Sequence, residues 1–416
     1  MQVLWTHLLE ASDSLVSAAS PSPAGGVWLT GSLRGPVLSL PDDGLAAPFS
    51  ASHASAFVAH LSEDGALLHL GRLAATPSDT NDELGVGVSA SANGTPVTLA
   101  SSLESDPATA DLRRVRSALV GEVNDGPGGD QLFADAPLLA VSLAATPSGG
   151  NVAVLNVEQV DPVDFPNLLL PPPGTVVIVC LDGVGATIWA RRLGGNAVRQ
   201  AVSVTCDASG NVLVVSWERD AVRGPVTIVS KLDAAGNALS EARLVADGGV
   251  IPAGVASLDG GDLVVVGATG GDVLPETPGL PPLGLDDDMP HAFVVRLNAA
   301  LEVLWSRCFR GEGRRAVTAV TAAGNGLVVA GHWIGQLFLD GTTLSAGTPT
   351  GFIARLDGVG GTQDSASYSA GDGALGTFPL GLCALGGGWL LSGYAWMPLS
   401  NGDAGRLGFG CRFAAA

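Results

Sequence analysis

The chain has 416 residues, of which 46% are hydrophobic and 14% are charged, and it contains 58 glycines and 26 prolines. So much apolar side chain excludes disorder for most of the chain, and so many glycines and prolines leave little room for helices. Forty acidic residues against twenty basic ones give a net charge of −20, which predicts no nucleic-acid partner and no attraction to anionic membrane surfaces.

The first predicted element is an isolated strand, VLWTHLL, at residues 3–9. The segment around it lacks the basic region and long apolar stretch of a secretory signal peptide, which is expected either of a cytoplasmic protein or of one whose leader is missing from this sequence. No stretch of 18 or more apolar residues is free of glycine, proline and charge, so we expect no insertion into a membrane.

A repeat of about 60 residues then runs along the chain, marked by glycine-centred turns. The turns are centred on Gly26, Gly94, Gly150, Gly210, Gly261, Gly324 and Gly388. After each turn comes a short apolar run that ends on a small residue, as in NVLVVSW and GLVVAGH. This column contains Gly31, Ser101, Asn156, Ser216, Gly267, Gly331 and Gly393. Another run precedes each turn, so turn and flanks predict a hairpin.

A second hairpin follows in most units, and Trp189 and Trp305 recur at one position of its last strand, as does Trp5 in the isolated first strand. The chain therefore begins with the fourth strand of a unit and ends, at GFGCRFA, with the third. These observations predict one all-β domain over residues 1–416: a seven-bladed β-propeller with four antiparallel strands per blade. Residues 3–9 complete the C-terminal blade and close the ring. The unit around 104–137 departs most from the pattern.

Units such as AVSVTCDASGNVLVVSW and FVVRLNAALEVLWSRCF resemble those of the bacterial β-propeller repeat proteins of the SBBP type. The most similar units are 199–245 and 291–333, and kelch-type propellers share the strand order. The resemblance spans nearly the whole chain and implies a propeller fold and a secreted or surface-anchored protein. It implies little about function, because it consists of turn and strand patterns.

The two faces of such a ring are predicted to differ. Turns between the first and second strands, and between the third and fourth, emerge on one face and are short. The connections on the other face are long and irregular: 34–53, 104–116, 159–174, 269–290, 334–349 and 395–406 after second strands, and 74–83, 194–198, 310–314 and 370–377 after fourth strands. Variable loops on a rigid scaffold are where recognition usually occurs.

Aromatic and basic residues just beyond the second strands are the candidate binding residues on this loop face. They are Trp217, Arg219, His332, Trp333, Tyr394 and Trp396. Exposed Trp and Arg are enriched at binding hot spots, and aromatic rings stack on sugars and peptides. The competing interpretation is that these rings pack between neighbouring blades.

Two charged segments offer further hypotheses. Arg314 and Arg315 can grip an anionic ligand where the sixth blade starts, although the neighbouring Glu312 favours ordinary surface pairing. Asp286, Asp287 and Asp288 supply oxygen ligands of the kind that calcium takes. Their spacing is not that of a calcium loop, which favours a solvated acidic turn, and we expect no other cofactor.

Catalytic motifs for hydrolases, P-loop proteins and zinc enzymes are missing from the sequence, and the five cysteines are predicted to be free thiols. We therefore expect a non-enzymatic recognition or scaffold module that binds a protein or glycan through the loop face. One alternative is a structural subunit of an extracellular or surface assembly. Another is a hydrolase or lyase with acidic residues at the channel mouth. The sequence leaves the oligomeric state open.

Overall fold

The structure, a computed structural model, describes residues 1–9, 11, 13–35, 53–73, 82–90, 96–105, 113–120, 130–134, 138–157, 164–165, 168–169, 175–183, 186–194, 198–246, 248–270, 274–275, 291–371, 373–398 and 404–414. For the strands within 102–138, 164–169 and 274–275 it describes the backbone alone.

The first half of the chain begins with β1 (Gln2–Leu9) and then forms three sheets. Sheet 1 consists of β2 (Asp13–Pro21), β3 (Val27–Arg34), β4 (Ser55–Leu61) and β5 (Leu67–Arg72). Sheet 2 consists of β6 (Asp82–Ala90), β7 (Pro96–Ser105), β8 (Arg113–Val120) and β9 (Asp130–Ala134). Sheet 3 begins with β10 (Leu138–Ala145) and β11 (Asn151–Val157). After β12 (Asp164–Phe165) and β13 (Leu168–Leu169), which pair with each other, it ends with β14 (Val176–Leu181) and β15 (Thr187–Leu193).

The second half continues the same order. Sheet 4 contains β16 (Arg199–Cys206), β17 (Val212–Asp220), β18 (Gly224–Leu232) and β19 (Ala238–Val245). Sheet 5 contains β20 (Val250–Ser257) and β21 (Leu263–Thr269) and, after β22 (Leu274–Pro275), also β23 (His291–Leu297) and β24 (Val303–Phe309). Sheet 6 contains β25 (Arg315–Ala323), β26 (Gly326–Leu339), β27 (Thr342–Leu356) and β28 (Thr362–Tyr368). Sheet 7 contains β29 (Gly376–Leu385), β30 (Gly388–Pro398), β31 (Ala404–Ala414) and β1.

The sheets form a ring, because the first strands β2, β6, β10, β16, β20, β25 and β29 contact one another in that order and β29 contacts β2. This arrangement confirms the predicted all-β propeller. The prediction of seven blades with four strands each is wrong. Six sheets have four strands, and sheet 4 has five, because β22 pairs with β19 through Leu244 opposite Pro275 and Val245 opposite Leu274. The fifth strand covers part of an exposed strand edge, which sequence patterns do not reveal.

The N-terminal strand joins sheet 7, as the sequence predicted. β1 pairs with β31 in antiparallel register, with Thr6 opposite Cys411 and Leu9 opposite Gly408. The side chain of Leu9 is buried. First and last strands of the described chain therefore hydrogen-bond in one sheet, and this pairing links sheet 7 to the start of the chain.

Each first strand carries a one-residue bulge at or beside the residue that faces the small-residue column. A bulge bends and twists a strand, and its repetition curves every sheet in the same way. The small residues of the column let the backbone of the first strand come close to the second: a Cβ on Gly331 would lie 2.0 Å from the Ala316 carbonyl oxygen. Two of its polar members bridge sheets instead: the Asn156 side-chain amide oxygen accepts from the Ala201 N–H at 2.7 Å, and Ser101 accepts from the Ala140 N–H at 2.9 Å.

Apolar side chains fill the space between successive sheets. One cluster joins sheets 5 and 6 around Phe309 and Phe352, and another joins sheets 6 and 7 around Phe409 and Phe413. Aliphatic residues of the central strands, such as those of Val176–Leu181, are buried on both sides. The core is therefore a series of layers between sheets, which is why the central strands are continuous apolar runs.

The tryptophan column forms contacts between sheets on the face of the short turns, here called the turn face. The indole N–H groups of Trp5, Trp189 and Trp305 donate to backbone carbonyls in turns of the next sheet, at 2.9, 3.0 and 3.0 Å. Each ring packs on a glycine of that turn, because only glycine tolerates both a positive φ and so close a ring. A Cβ on Gly236 would lie 2.9 Å from Trp189.

Candidate functional site

The predicted loop 334–349 is a hairpin. β26 and β27 run on beyond sheet 6 and pair as far as Leu339 opposite Thr342. The backbone of this hairpin also bonds to the segment 310–314: the Ile334 N–H donates to the Arg314 carbonyl at 2.9 Å, and the Gln336 N–H donates to the Glu312 carbonyl at 3.0 Å. The prediction of a long irregular loop is therefore wrong here, because its backbone finds partners in the neighbouring connection.

The tip of the 334–349 hairpin is anchored to strands at the edges of sheets 5 and 6. The Asp340 carboxylate accepts a hydrogen bond from the Thr362 N–H at 2.7 Å and from the Arg307 guanidinium at 2.8 Å. These contacts, the Thr362 bond first, lower the pKa of Asp340. Leu337 and Leu339 are buried in the cluster between these sheets. The hairpin thus packs along the outside of the propeller.

Two predicted binding residues near this hairpin are buried, which corrects the expectation that they stand on the loop face. Trp333 is 1% exposed and its ring packs edge-on against Phe352. Arg315 is 2% exposed, donates to the carbonyls of Phe309 and Gly313 at 2.8 and 2.6 Å, and also contacts His291. Both are therefore packing residues, as the competing interpretation held for the rings. Arg314 is exposed.

The remaining predicted residues of sheets 6 and 7 come together on the loop face. The His332 ring lies edge-on to Phe378 at 5.1 Å, Phe378 stacks on Tyr394 at 5.1 Å, and Tyr394 meets Trp396 edge-on at 6.4 Å between ring centroids. We call these four residues the aromatic strip. Three are half-buried, and Trp396 at its end is 37% exposed.

Local strand geometry explains the strip. β30 continues to Pro398, and alternate residues of a strand share a face, so Tyr394 and Trp396 point the same way. Phe378 lies directly opposite Tyr394 near the start of β29. The Leu375 N–H donates to the Trp396 carbonyl at 2.8 Å, which fixes the backbone just before β29 to the end of β30.

The aromatic strip is uncharged at neutral pH. Burial lowers the pKa of His332, because the interior disfavours the imidazolium form. Its Nδ1 is buried without a hydrogen-bond partner among the described residues. The ring is therefore a neutral aromatic group beneath Phe378.

An ion pair borders the strip and connects sheet 7 to sheet 1. Arg406 lies opposite Trp396 on the neighbouring strand. Its Nε and one terminal nitrogen donate to the two carboxylate oxygens of Asp13 at 2.8 and 2.6 Å. The hydrogen bond to Asp13 raises the pKa of Arg406, and the electrostatic influence of Tyr394 adds to the shift. We call Arg406 and Asp13 the polar edge.

The sequence identified His332, Tyr394 and Trp396 but missed Phe378 and the polar edge. Phe378 precedes a proline at the start of a first strand, and its residue type alone does not show that it contacts the rings of His332 and Tyr394. Asp13 and Arg406 are 393 residues apart in the chain, so no local spacing relates them. Only the closure of the ring brings them together.

The other predicted sites are not part of this arrangement. Trp217 is half-buried and Arg219 is exposed on β17, in sheet 4, and between them Glu218 is buried beside Arg199 at 3.4 Å. Asp286, Asp287 and Asp288 lie outside the described residues. Within the described ranges, no group of three or more His, Cys, Asp or Glu residues is placed to hold a metal ion.

The five cysteines are free, as predicted, and three of them are buried. Burial raises the pKa of Cys206 and of Cys383 to about 12, so neither thiol ionises near neutral pH. As far as the described residues show, no helix is long and apolar enough to span a membrane.

Comparison with known proteins reveals similarity of fold only. No protein-family model matches the chain, and no curated protein matches it significantly. The resemblance to SBBP-type or kelch-type repeats therefore does not assign the chain to either family.

Many solved structures share its architecture. A polysaccharide lyase, Uly1, has a TM-score of 0.48 at 10% identity and covers all of both chains. A protein of unknown function from Dyadobacter fermentans has a TM-score of 0.48 at 9% identity, with 99% of each chain covered. The β-propeller domain of the Trilobed protease from Pyrococcus furiosus has a TM-score of 0.45 at 9% identity, with 95% of this chain and 97% of that one covered.

These findings correct the prediction that the chain is not an enzyme. Solved structures similar to the chain include a polysaccharide lyase, so the prediction does not stand. Missing sequence motifs do not separate binding modules from enzymes, because a propeller assembles its loop face from residues that are distant in sequence. At 9 to 10% identity the likeness concerns the fold alone.

Proposed function

We propose that the protein recognises a glycan through the aromatic strip on the loop face. The observation that carries the proposal is the line of four contacting rings from two sheets, which ends at the exposed Trp396. Aromatic faces pack well against the C–H faces of sugar rings, because both surfaces are flat and apolar.

The polar edge supports a glycan over a purely apolar ligand. Arg406 and Asp13 are 34% and 27% exposed, so donors and acceptors stand beside the rings. A sugar presents hydroxyl groups around the rim of its apolar face, and it needs such groups next to a stacking surface. Ligand sites commonly combine an apolar surface with a few polar groups that fix orientation.

Rigidity of the supporting strands also favours recognition at this place. Phe378 and Tyr394 are paired residues of neighbouring strands in sheet 7, and the His332 ring of sheet 6 packs against Phe378. Rings that are already held in place lose little conformational freedom when a ligand binds. The strip is therefore suited to binding without rearrangement.

The test is affinity electrophoresis of the full chain through native gels that contain one polysaccharide each: hydroxyethyl cellulose, galactomannan, xylan, dextran, carboxymethyl cellulose or polygalacturonate. We expect at least one polymer to retard the protein. Trp396→Ala should weaken that binding about tenfold or more, which corresponds to about 1.4 kcal/mol. Because Trp396 is exposed, thermal unfolding of the variant should match that of the unaltered protein.

The matched control is Phe338→Ala, which removes a 43% exposed ring from the 334–349 hairpin. It should bind as the unaltered protein does. Failure of every polymer to retard the chain would overturn the proposal, as would equal retardation of Trp396→Ala. If the true ligand of this face is a protein, no polymer should retard the chain. If the chain shortens the polymer that retards it, the protein cleaves the glycan as well as binding it, which favours the hydrolase or lyase alternative.

A further inference from the structure

Building on the proposed glycan recognition, we infer that the ligand is an uncharged glycan whose hydroxyl groups are bound by Asp13 and Arg406 acting as one ion-paired unit. The inference concerns the class of sugar and adds two residues that the aromatic strip alone does not require. It follows from how charge is distributed around the strip.

The Arg406 guanidinium is already neutralised. Two of its nitrogens donate to both oxygens of Asp13 at 2.8 and 2.6 Å, the bidentate geometry in which arginine binds carboxylates most strongly. A uronate or sialate carboxylate would have to displace Asp13 to obtain the same contacts. The charge of the cation beside the strip is therefore already balanced, and an acidic sugar gains less from it than from an unpaired arginine.

The unused atoms of the pair suit hydroxyl groups. A guanidinium has five N–H donors and a carboxylate has about four acceptor positions, and the ion pair uses two of each. Both side chains remain partly exposed. A hydroxyl both donates and accepts, so it can bond to the guanidinium and the carboxylate at once, whereas an anion can use only the donors.

The charges next to this pair, toward sheets 1 and 2, are paired as well. Asp13 lies opposite Arg34 on the neighbouring strand, and Arg34 binds Asp82 of sheet 2 at 3.1 Å. Cations and anions thus alternate from sheet 7 to sheet 2. With the neutral ring of His332 at the other end of the strip and a net charge of −20 on the chain, the surroundings disfavour a polyanion.

The experiment compares matched neutral and anionic polymers. The full chain is run through gels of hydroxyethyl cellulose and of carboxymethyl cellulose, and of galactomannan before and after oxidation of its primary hydroxyls to carboxylates. We expect the neutral member of a retained pair to bind at least tenfold more tightly at low salt. The difference should narrow as salt screens the repulsion.

Asp13→Asn tests the role of the pair directly. The substitution keeps the shape of the side chain but leaves Arg406 without its counter-charge, so binding of the anionic polymer should improve several-fold relative to the neutral one. The control is Asp262→Asn, which makes the same change of charge in an ion pair with Arg296, at 2.7 Å, on the turn face. It should leave the ratio unchanged.

The results separate this inference from the proposed function. Retention of neither polymer type would overturn both. Equal or tighter binding of the anionic polymer, weakened by Trp396→Ala, would leave glycan recognition standing and overturn the uncharged class. An unchanged ratio in Asp13→Asn would overturn the role of the pair. If Asp13→Asn does not fold, the ratio in the unaltered protein tests the class, and Arg406→Gln, expected to weaken neutral binding, tests the pair.

Discussion

The turn face and the loop face of this propeller are formed by the two ends of the same strands. The turn face repeats one hydrogen-bonding pattern, whereas the connections on the loop face differ from one another. On the turn face, one hydrogen-bonding pattern recurs: the turns starting at Thr146 and Asp233 each close with an N–H to carbonyl bond across four residues, at 2.9 and 2.8 Å. On the loop face, one connection adds a fifth strand to sheet 4 and another folds back as the 334–349 hairpin.

This difference shows how the fold divides stability from recognition. Contacts that repeat around the ring, such as those of Trp5, Trp189 and Trp305, hold neighbouring sheets together. Contacts that occur once, such as those of the aromatic strip, leave side chains available to a ligand. Substitutions on the turn face should therefore cost stability, and those on the exposed part of the loop face should cost binding.

Removal of residues 1–9 should have the largest effect. It deletes the outer strand of sheet 7, the buried Leu9 and the contact of Trp5 with the Glu63 carbonyl in sheet 1. We expect a loss comparable to the whole stability of a typical domain, about 5–15 kcal/mol, or failure to obtain folded protein. Chemical unfolding of the shortened chain measures this. An unchanged unfolding midpoint would show that the ring does not depend on this strand.

A glycine beneath a tryptophan should be the next most sensitive position. Gly236 and Gly149 both have positive φ in turns of the turn face, but only Gly236 lies under an indole ring. Gly149→Ala should cost about 1–2 kcal/mol for the left-handed backbone alone. Gly236→Ala should cost about 1–3 kcal/mol more, because its Cβ would meet Trp189 at 2.9 Å.

Urea unfolding of these two variants gives the comparison. The difference between them isolates the packing of the ring from the conformation of the turn. Equal losses would mean that the tryptophan contact adds nothing, and the turn face would then owe its stability to turn chemistry alone.

The smallest effect concerns pH. His332 has a lowered pKa in the folded state, whereas an unfolded histidine has a pKa of about 6.5. Below that value the unfolded chain binds the proton more readily, so this residue makes stability fall as pH decreases. His332→Phe keeps an aromatic ring beside Phe378 and should lose less stability between pH 7 and pH 5. Equal losses of unfolding free energy between pH 7 and pH 5 in the two proteins would refute the lowered pKa of His332.

Much of the architecture could be predicted from the chain alone. The glycine turns, the small column beginning with Gly31 and the tryptophan column gave the propeller and the pairing of β1 with the last strand correctly. These features are readable because each is a local pattern that recurs along the chain, and recurrence distinguishes a structural requirement from chance.

The candidate site was predicted only in part. His332, Tyr394 and Trp396 follow from residue type and position, but Trp333, one residue away from His332, is buried because adjacent residues of a strand face opposite sides. Arg315 is buried for a different reason, since its guanidinium satisfies backbone carbonyls where two sheets meet.

The sequence by itself determined the repeating hairpins, the excess of negative charge and the recurring tryptophan position, because these depend on short-range pattern and composition. Tertiary structure decided which rings are exposed, where the 334–349 hairpin packs and that Asp13 meets Arg406. Those features depend on closing the ring, which places residues from opposite ends of the chain side by side, and no local pattern encodes that contact.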